Sequence, residues 1–212
     1  IPAYDRSNDM ITEEHIDAMH AFDRKAKAEF IRFLDTLSDE PYEAAAALIL
    51  KSAAAGGRLH ITGIGKPGHV AGYAASLISS TGTPAYELHG TEAVHGSCGQ
   101  LVRGDVVICI SNSGETAELL ATIRAVQNNG CEVIAVTGKP ESSVARLARV
   151  HLFAGVDCEG GPLNRAPRAS ILAEIYVLQR LSGLLQAHRG LTPDEYLLRH
   201  PGGSLGVRRE NE

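Results

Sequence analysis

Basic clusters are absent from this sequence. Its 212 residues carry 20 Lys and Arg against 25 Asp and Glu, a formal net charge of −5. A phosphate-backbone binder needs a clustered cationic face, so nucleic acid is not an expected partner. Apolar runs of the roughly 20 residues that cross a bilayer are missing as well, and no membrane span is expected. The opening "IPAYDRSNDM" lacks a basic-then-apolar signal pattern, and the expectation is a cytoplasmic protein. Cysteine is scarce: Cys98, Cys109, Cys131 and Cys158 form no CxxC pair. Free thiols in a reducing compartment are expected, not a metal site or a disulfide. No internal repeat, low-complexity tract or linker interrupts the chain, which reads as a single domain over residues 1–212.

What remains is 44% hydrophobic, enough for one sizeable core. From Thr12 to about Leu37, apolar Ile16, Met19, Phe22, Ala26, Phe30 and Phe33 recur at three- and four-residue steps. That spacing predicts an amphipathic helix. A second helix, "PYEAAAALILKSAAAG", has Pro41 near its first turn and stops at Gly56-Gly57, closing an N-terminal helical segment of about 12–55. Five short apolar runs follow: "RLHITGIG", "PAYELHG", "DVVICIS", "EVIAVTG" and "RVHLFAG", each separated by helical patterning. Runs apolar on both faces are what a parallel sheet covered on both sides requires. The fold class is therefore α/β, a doubly wound three-layer sandwich with a five-stranded parallel sheet over about 57–190. "RASILAEIYVLQRLSGLLQAH" reads as a long apolar helix. In the tail of about 191–206, Thr192 and Glu195 have capping-box spacing, and the closing "VRRENE" is expected to fray.

Ligands of such sheets bind where strand ends feed helices, and two strand ends carry unusual chemistry. "GIGKPGH" places Gly63, Gly65 and Gly68 in a G-x-G-x-x-G pattern, with Glu87 at a spacing a dinucleotide site would use. Lys66 inside the turn and His69 after it argue against a nicotinamide cofactor. Lys66 can neutralise a phosphate or hold a sugar oxygen; the plain alternative is a solvated loop lysine. "SNSGET" sets the hydroxyls of Ser111, Ser113 and Thr116 around Gly114 at a helix start, where backbone amides are also unpaired. One cap, Ser113 with Thr116 three residues on, is the ordinary explanation, but three hydroxyls exceed what a cap uses. Glu115 suits acid–base work beside a phosphorylated substrate, or simply complements a helix dipole.

"GIGKPGH", "STGTPAYELHGTEAVHG", "GDVVICISNSGET", "VTGKPESSVARLA" and "HPGGSLG" follow one another here in an order that resembles the sugar isomerase (SIS) domain of arabinose-5-phosphate isomerases, over residues 15–206. The resemblance implies a flavodoxin-like sandwich that interconverts D-arabinose 5-phosphate and D-ribulose 5-phosphate through an enediol, with no cofactor and no required metal. It implies Lys66, Glu115, Glu159 and His200 as the catalytic set. Ser111, Asn112, Ser113, Gly114 and Thr116 would hold the phosphate. Gly65, His89 and His95 would line the sugar site. It further implies a homotetramer with active sites between subunits, so that His200 serves a neighbouring chain, and a role in lipopolysaccharide or capsule synthesis. A base at C2, a proton relay and a donor to the carbonyl are the needs of such chemistry, and these residue types can meet them.

Four departures stand out. Pro67 occupies a position where the family has serine, Ser97 replaces an acid, "PRASI" replaces a hydroxyl-rich run, and the regulatory CBS modules of longer members do not follow. Arg168, within "PRASI", adds a cation that can recognise a second anionic group. The alternatives are an isomerase for another phosphosugar such as a hexulose 6-phosphate, and a non-catalytic sugar-phosphate sensor.

Overall fold

The computed structural model describes residues 10–203 and 206–208. Ser204 and Leu205 of the "HPGGSLG" stretch, most of "VRRENE" and nearly all of the opening decapeptide lie outside the described residues.

Five strands form one all-parallel sheet: β1 (Leu59–Gly63), β2 (Ala85–Glu87), β3 (Val106–Ile110), β4 (Glu132–Thr137) and β5 (Val150–Phe153), in the order β2-β1-β3-β4-β5. Register runs level across the centre, with Gly63 beside Ile110 and Ile110 beside Val136. β1 and β3 are buried along their whole length, because both faces are covered. Alternation along β3 sends Val106, Ile108 and Ile110 to one side and Val107 and Cys109 to the other. The first set meets α1 (Glu13–Asp35), α2 (Glu40–Ala54), α3 (Lys66–Ser80) and α6 (Ala169–Arg189). The second meets α4 (Ala117–Asn128) and α5 (Ser143–Leu147). Burying each such aliphatic side chain contributes about 1.5–3 kcal/mol, so the two cores hold the sheet rigid beneath its carboxyl ends.

Helix directions decide where the functional side chains go. α6 follows β5 and runs antiparallel to the strands, so it starts at the carboxyl end of the sheet. Its 21 residues span about 31 Å. At its far end Arg189 Nε donates to Gly82 O (2.8 Å), beside the start of β2, and Gly190 closes the helix in the left-handed conformation (φ 60°). The short α7 (Pro193–Arg199) is capped by Thr192, whose hydroxyl accepts from Glu195 N–H while the Glu195 carboxylate accepts from Thr192 N–H. This is the predicted capping box. α1 docks on α6 only through its second half: Phe30 and Phe33 meet Tyr176 edge-on at 5.5 and 6.1 Å. Residues 13–20 are all exposed, with Ile16 and Met19 at 41% and 50%. The four cysteines are free; Cys109 and Cys131 are buried and the other two half-buried. Among the described residues no helix is long and apolar enough to cross a membrane.

Candidate active site

In the order β2-β1-β3-β4-β5 the chain winds one way from β1 to β2 and the other way from β3 onward. The crevice above β1 and β3 is therefore the topological switch point, where sheets of this order take ligands. Both loops singled out in the sequence emerge there, side by side.

After β3, the Ser111 hydroxyl is within 3.1 Å of the Thr116 hydroxyl and accepts from Gly114 N–H (3.1 Å), while Ser113 Oγ accepts from Glu115 N–H (3.2 Å). Thr116, not Ser113, is the N-cap of α4, and its side chain makes no cap bond because it turns to Ser111. The first-turn amides of α4 are left without intrahelical partners. Gly114 has φ +66°, and a Cβ there would overlap Ser142 Oγ and Cβ, so only glycine fits both the backbone and the contact. Asn112 accepts from Gly138 N–H through its carbonyl (3.0 Å), which ties the loop to the end of β4. Glu115 Oε1 accepts from Ser143 N–H at 2.8 Å, at the start of α5. That bond holds the Glu115 carboxyl below its usual range, so it is ionised at neutral pH.

After β1, the three glycines of "GIGKPGH" have separate jobs. A Cβ on Gly63 would lie 2.7–2.9 Å from the Pro67 and Gly68 backbone, one on Gly68 would lie 3.0 Å from Gly63 O, and Gly65 has φ +68°. The pattern is thus a strand-to-helix packing device that needs no dinucleotide. Lys66 opens α3, exposed and with no partner among the described residues. Facing this turn, Gly90 is pressed onto Gly63 and held by Thr122, whose hydroxyl donates to Gly90 O (2.5 Å). His89 is exposed, and its Nδ1 accepts from Glu92 N–H (3.3 Å), which leaves Nε2 to carry the ring proton. Between the two turns lies a cleft of about 320 Å³ lined by Gly65, His69, Glu87 and His89 among others. His95 ends the following turn of 3-10 helix (Glu92–His95), exposed.

Glu159 is buried (9% exposed) at the start of α6. Its Oε2 accepts from Arg168 N–H (2.6 Å) and Ser170 N–H (3.1 Å), the positive end of that helix. Asn164 Oδ1 accepts from Glu159 N–H and Gly160 N–H and so shapes the loop. Phe22 of α1 packs against Gly160. The Arg168 guanidinium lies over Gly161 and, with Arg165, borders an open cleft of about 530 Å³. Directly below, on the next turn of α6, sits Glu174, which sequence reading passed over. It is 0% exposed, and both its oxygens and the hydroxyl of Ser170 lack partners among the described residues. Burial, and then the charge of Glu159, push its pKa up to about 8. The one signal in the sequence is that Glu174 is the single acid of α6. Ser142, which forms the wall under Gly114 and caps α5, was also missed.

His200 stands apart from the other candidates within one chain. It ends α7, half-buried, stacked on the Tyr196 ring (centroids 4.0 Å apart, 22° between planes) with Nδ1 2.9 Å from Tyr196 O. α6 separates it from Glu159 along almost its entire length.

Hydroxyls and helix amides set at the switch point of a 2-1-3-4-5 parallel sheet, with carboxylates around them, define the class as a doubly wound α/β sandwich with a polar crevice at its carboxyl end. Residues 53–177 match the SIS domain, and the chain belongs to that family. Arabinose 5-phosphate isomerase KdsD of Pseudomonas aeruginosa is 41% identical over 152 residues, 72% of this chain and 47% of the relative. KdsD of Escherichia coli K12 is 43% identical over 150 residues, 71% of this chain and 46% of the relative. The chain thus spans about half the length of these curated relatives. Among solved structures, the c3406 protein of Escherichia coli CFT073 in complex with arabinose 5-phosphate superposes with a TM-score of 0.79 at 33% identity, covering 91% of this chain and all of that one.

Proposed function

We propose that this domain is an aldose–ketose isomerase that interconverts D-arabinose 5-phosphate and D-ribulose 5-phosphate. The observation that carries the reading is the pairing of a hydroxyl-and-amide cradle after β3 with a buried, helix-pinned carboxylate at Glu159. The similarity to proteins named as arabinose 5-phosphate isomerases, and to one solved with that sugar phosphate bound, supports it. Ser111, Ser113 and Thr116 bind the phosphate with the α4 amides, aided by Asn112 and Gly114. Gly65 lets the chain approach the sugar, and His89 donates to it from Nε2. Lys66 stabilises the negative oxygen of the enediolate.

Glu159 takes the C2 proton and Glu115 holds a sugar hydroxyl. The Glu115 carboxylate is already engaged by Ser143 N–H at 2.8 Å. His200, at the opposite end of α6, serves the pocket of a neighbouring copy and relays the proton between the two oxygens. The exposed apolar positions Ile16 and Met19 of α1 fit an assembled state, which we take as a homotetramer in the cytoplasm. A second reading, favoured by the arginine-bordered cleft beside Glu159, keeps the reaction but gives the phosphosugar another anionic group, recognised by Arg168.

Proton NMR of the protein with D-ribulose 5-phosphate in deuterated water tests the first reading. Arabinose 5-phosphate carrying deuterium at C2 is expected. Absence of both turnover and exchange would overturn the assignment.

A further inference from the structure

Glu174 is a buried titratable group that the proposed reaction does not use. Its surroundings are apolar: Ala173, Val177 and Leu178 beside it on α6, and the alanine-rich face of α3 opposite. Among the described residues, the one charge that bears on it from the elements around it is that of Glu159. Ser170 lies one turn above, i to i+4, with its own hydroxyl unpaired. The three unpaired polar atoms and Glu159 therefore form one buried cluster under the site.

We propose that Glu174 is the proton-bearing partner of Glu159, a positioning residue that keeps a neutral carboxyl behind the carboxylate that acts on the sugar. This rests on the role given to Glu159 above. Ser170, whose N–H donates to Glu159 Oε2, lies one turn from Glu174, and two carboxyls linked through one residue in an apolar setting do not both ionise near neutral pH, so that the pair holds one proton. The asymmetry of donors decides where that proton sits. Glu159 receives two backbone N–H bonds at the start of α6, which favour its charged form, whereas Glu174 receives none. The pKa of about 8 for Glu174 agrees with this division. A neutral Glu174 leaves a single negative charge in the floor of a site that must accept a phosphate and an enediolate. An ionised Glu174 adds a second and opposes both.

The test is the pH dependence of kcat and KM for the wild type and Glu174→Gln between pH 6 and 9.5, with the carboxyl resonances of 13C-labelled glutamate followed in parallel. Glutamine has the same shape and is neutral throughout. The wild type is expected to lose activity about tenfold per pH unit above about 8, while Glu174→Gln keeps its activity there and lies within about threefold of the wild type at pH 6.5. Superimposable alkaline limbs, or a folded Glu174→Gln that is inactive at pH 6.5, would overturn the proposal. The NMR arm needs no turnover, so it separates this idea from the isomerase reading. A Glu174 carboxyl titrating near 8, and lower in Glu159→Gln, supports the proposal even if the substrate is another phosphosugar; titration near the ordinary 4.5 overturns it.

Discussion

Replacing Glu174 by glutamine changes how stability depends on pH, and the size of the change follows from its environment. The carboxyl titrates at about 8 in the folded chain against an ordinary 4.5. Between those values the folded state holds a proton that the unfolded state has released. The contribution of this group is therefore fully present below pH 4.5 and is lost as pH rises through 8. Each pH unit inside that window costs about 1.4 kcal/mol, less near its ends, so the wild type loses roughly 2.5 kcal/mol from this group between pH 5 and pH 7. Glu174→Gln has no such proton to release. Whatever the substitution does to packing cancels when the variant is compared with itself across pH. The stability difference, variant minus wild type, should thus grow by roughly 2.5 kcal/mol from pH 5 to pH 7, or about 5–10 °C in relative Tm for a chain of this size. Urea unfolding at both pH values, at one ionic strength and one protein concentration, measures it. A difference that stays constant within about 0.5 kcal/mol would mean that Glu174 is ionised in the folded protein, and the account of the cluster would fail.

Gly114→Ala should cost roughly 2–4 kcal/mol, from the positive φ and from the overlap with Ser142, and should abolish binding of arabinose 5-phosphate in calorimetry; unchanged affinity would show that the β3 loop does not hold the phosphate. Glu159→Gln should lower kcat by about 10²–10⁴-fold while leaving the Tm of the complex responsive to substrate, and Glu115→Gln should act more on KM. The reverse pattern in steady-state kinetics would exchange their roles. Arg168→Ser should leave turnover of arabinose 5-phosphate within about threefold but weaken any substrate with a second anionic group by roughly 10- to 150-fold, since one hydrogen-bonded charge pair is worth about 1.5–3 kcal/mol. A competition assay with doubly anionic sugar phosphates decides it.

The strands and most helices were legible because their signals are local. β1 and β3 are runs apolar on both faces, and Thr192 and Glu195 have the spacing of the cap they form. The positions of Ser111, Thr116 and Lys66 at neighbouring strand ends followed from the same reading once β1 and β3 proved adjacent. Three things were not local. Thr116, not Ser113, stands at the N-cap of α4, and its hydroxyl meets Ser111 across the loop instead of capping the helix. Glu174 looks like any polar residue in a helical pattern, and only the packing of α3 and α6 makes it buried. His200 sits near Glu159 in motif order, yet α6 carries the chain to the other end of the sheet before it arrives.

The contact between Gly114 and Ser142 belongs to a seam of small residues across the sheet top. Gly138 lies against Asn112, and Gly155 against both Gly138 and the Phe153 ring. Along this seam the loops after β3, β4 and β5 touch backbone to backbone, so none can gain bulk unless its neighbour loses some. In a library randomised at 114, 138, 142 and 155 together, survivors should keep glycine at 114 for its backbone. At the other three positions the allowed residues should depend on one another, so that specificity evolves here by exchange between loops and not by single substitutions.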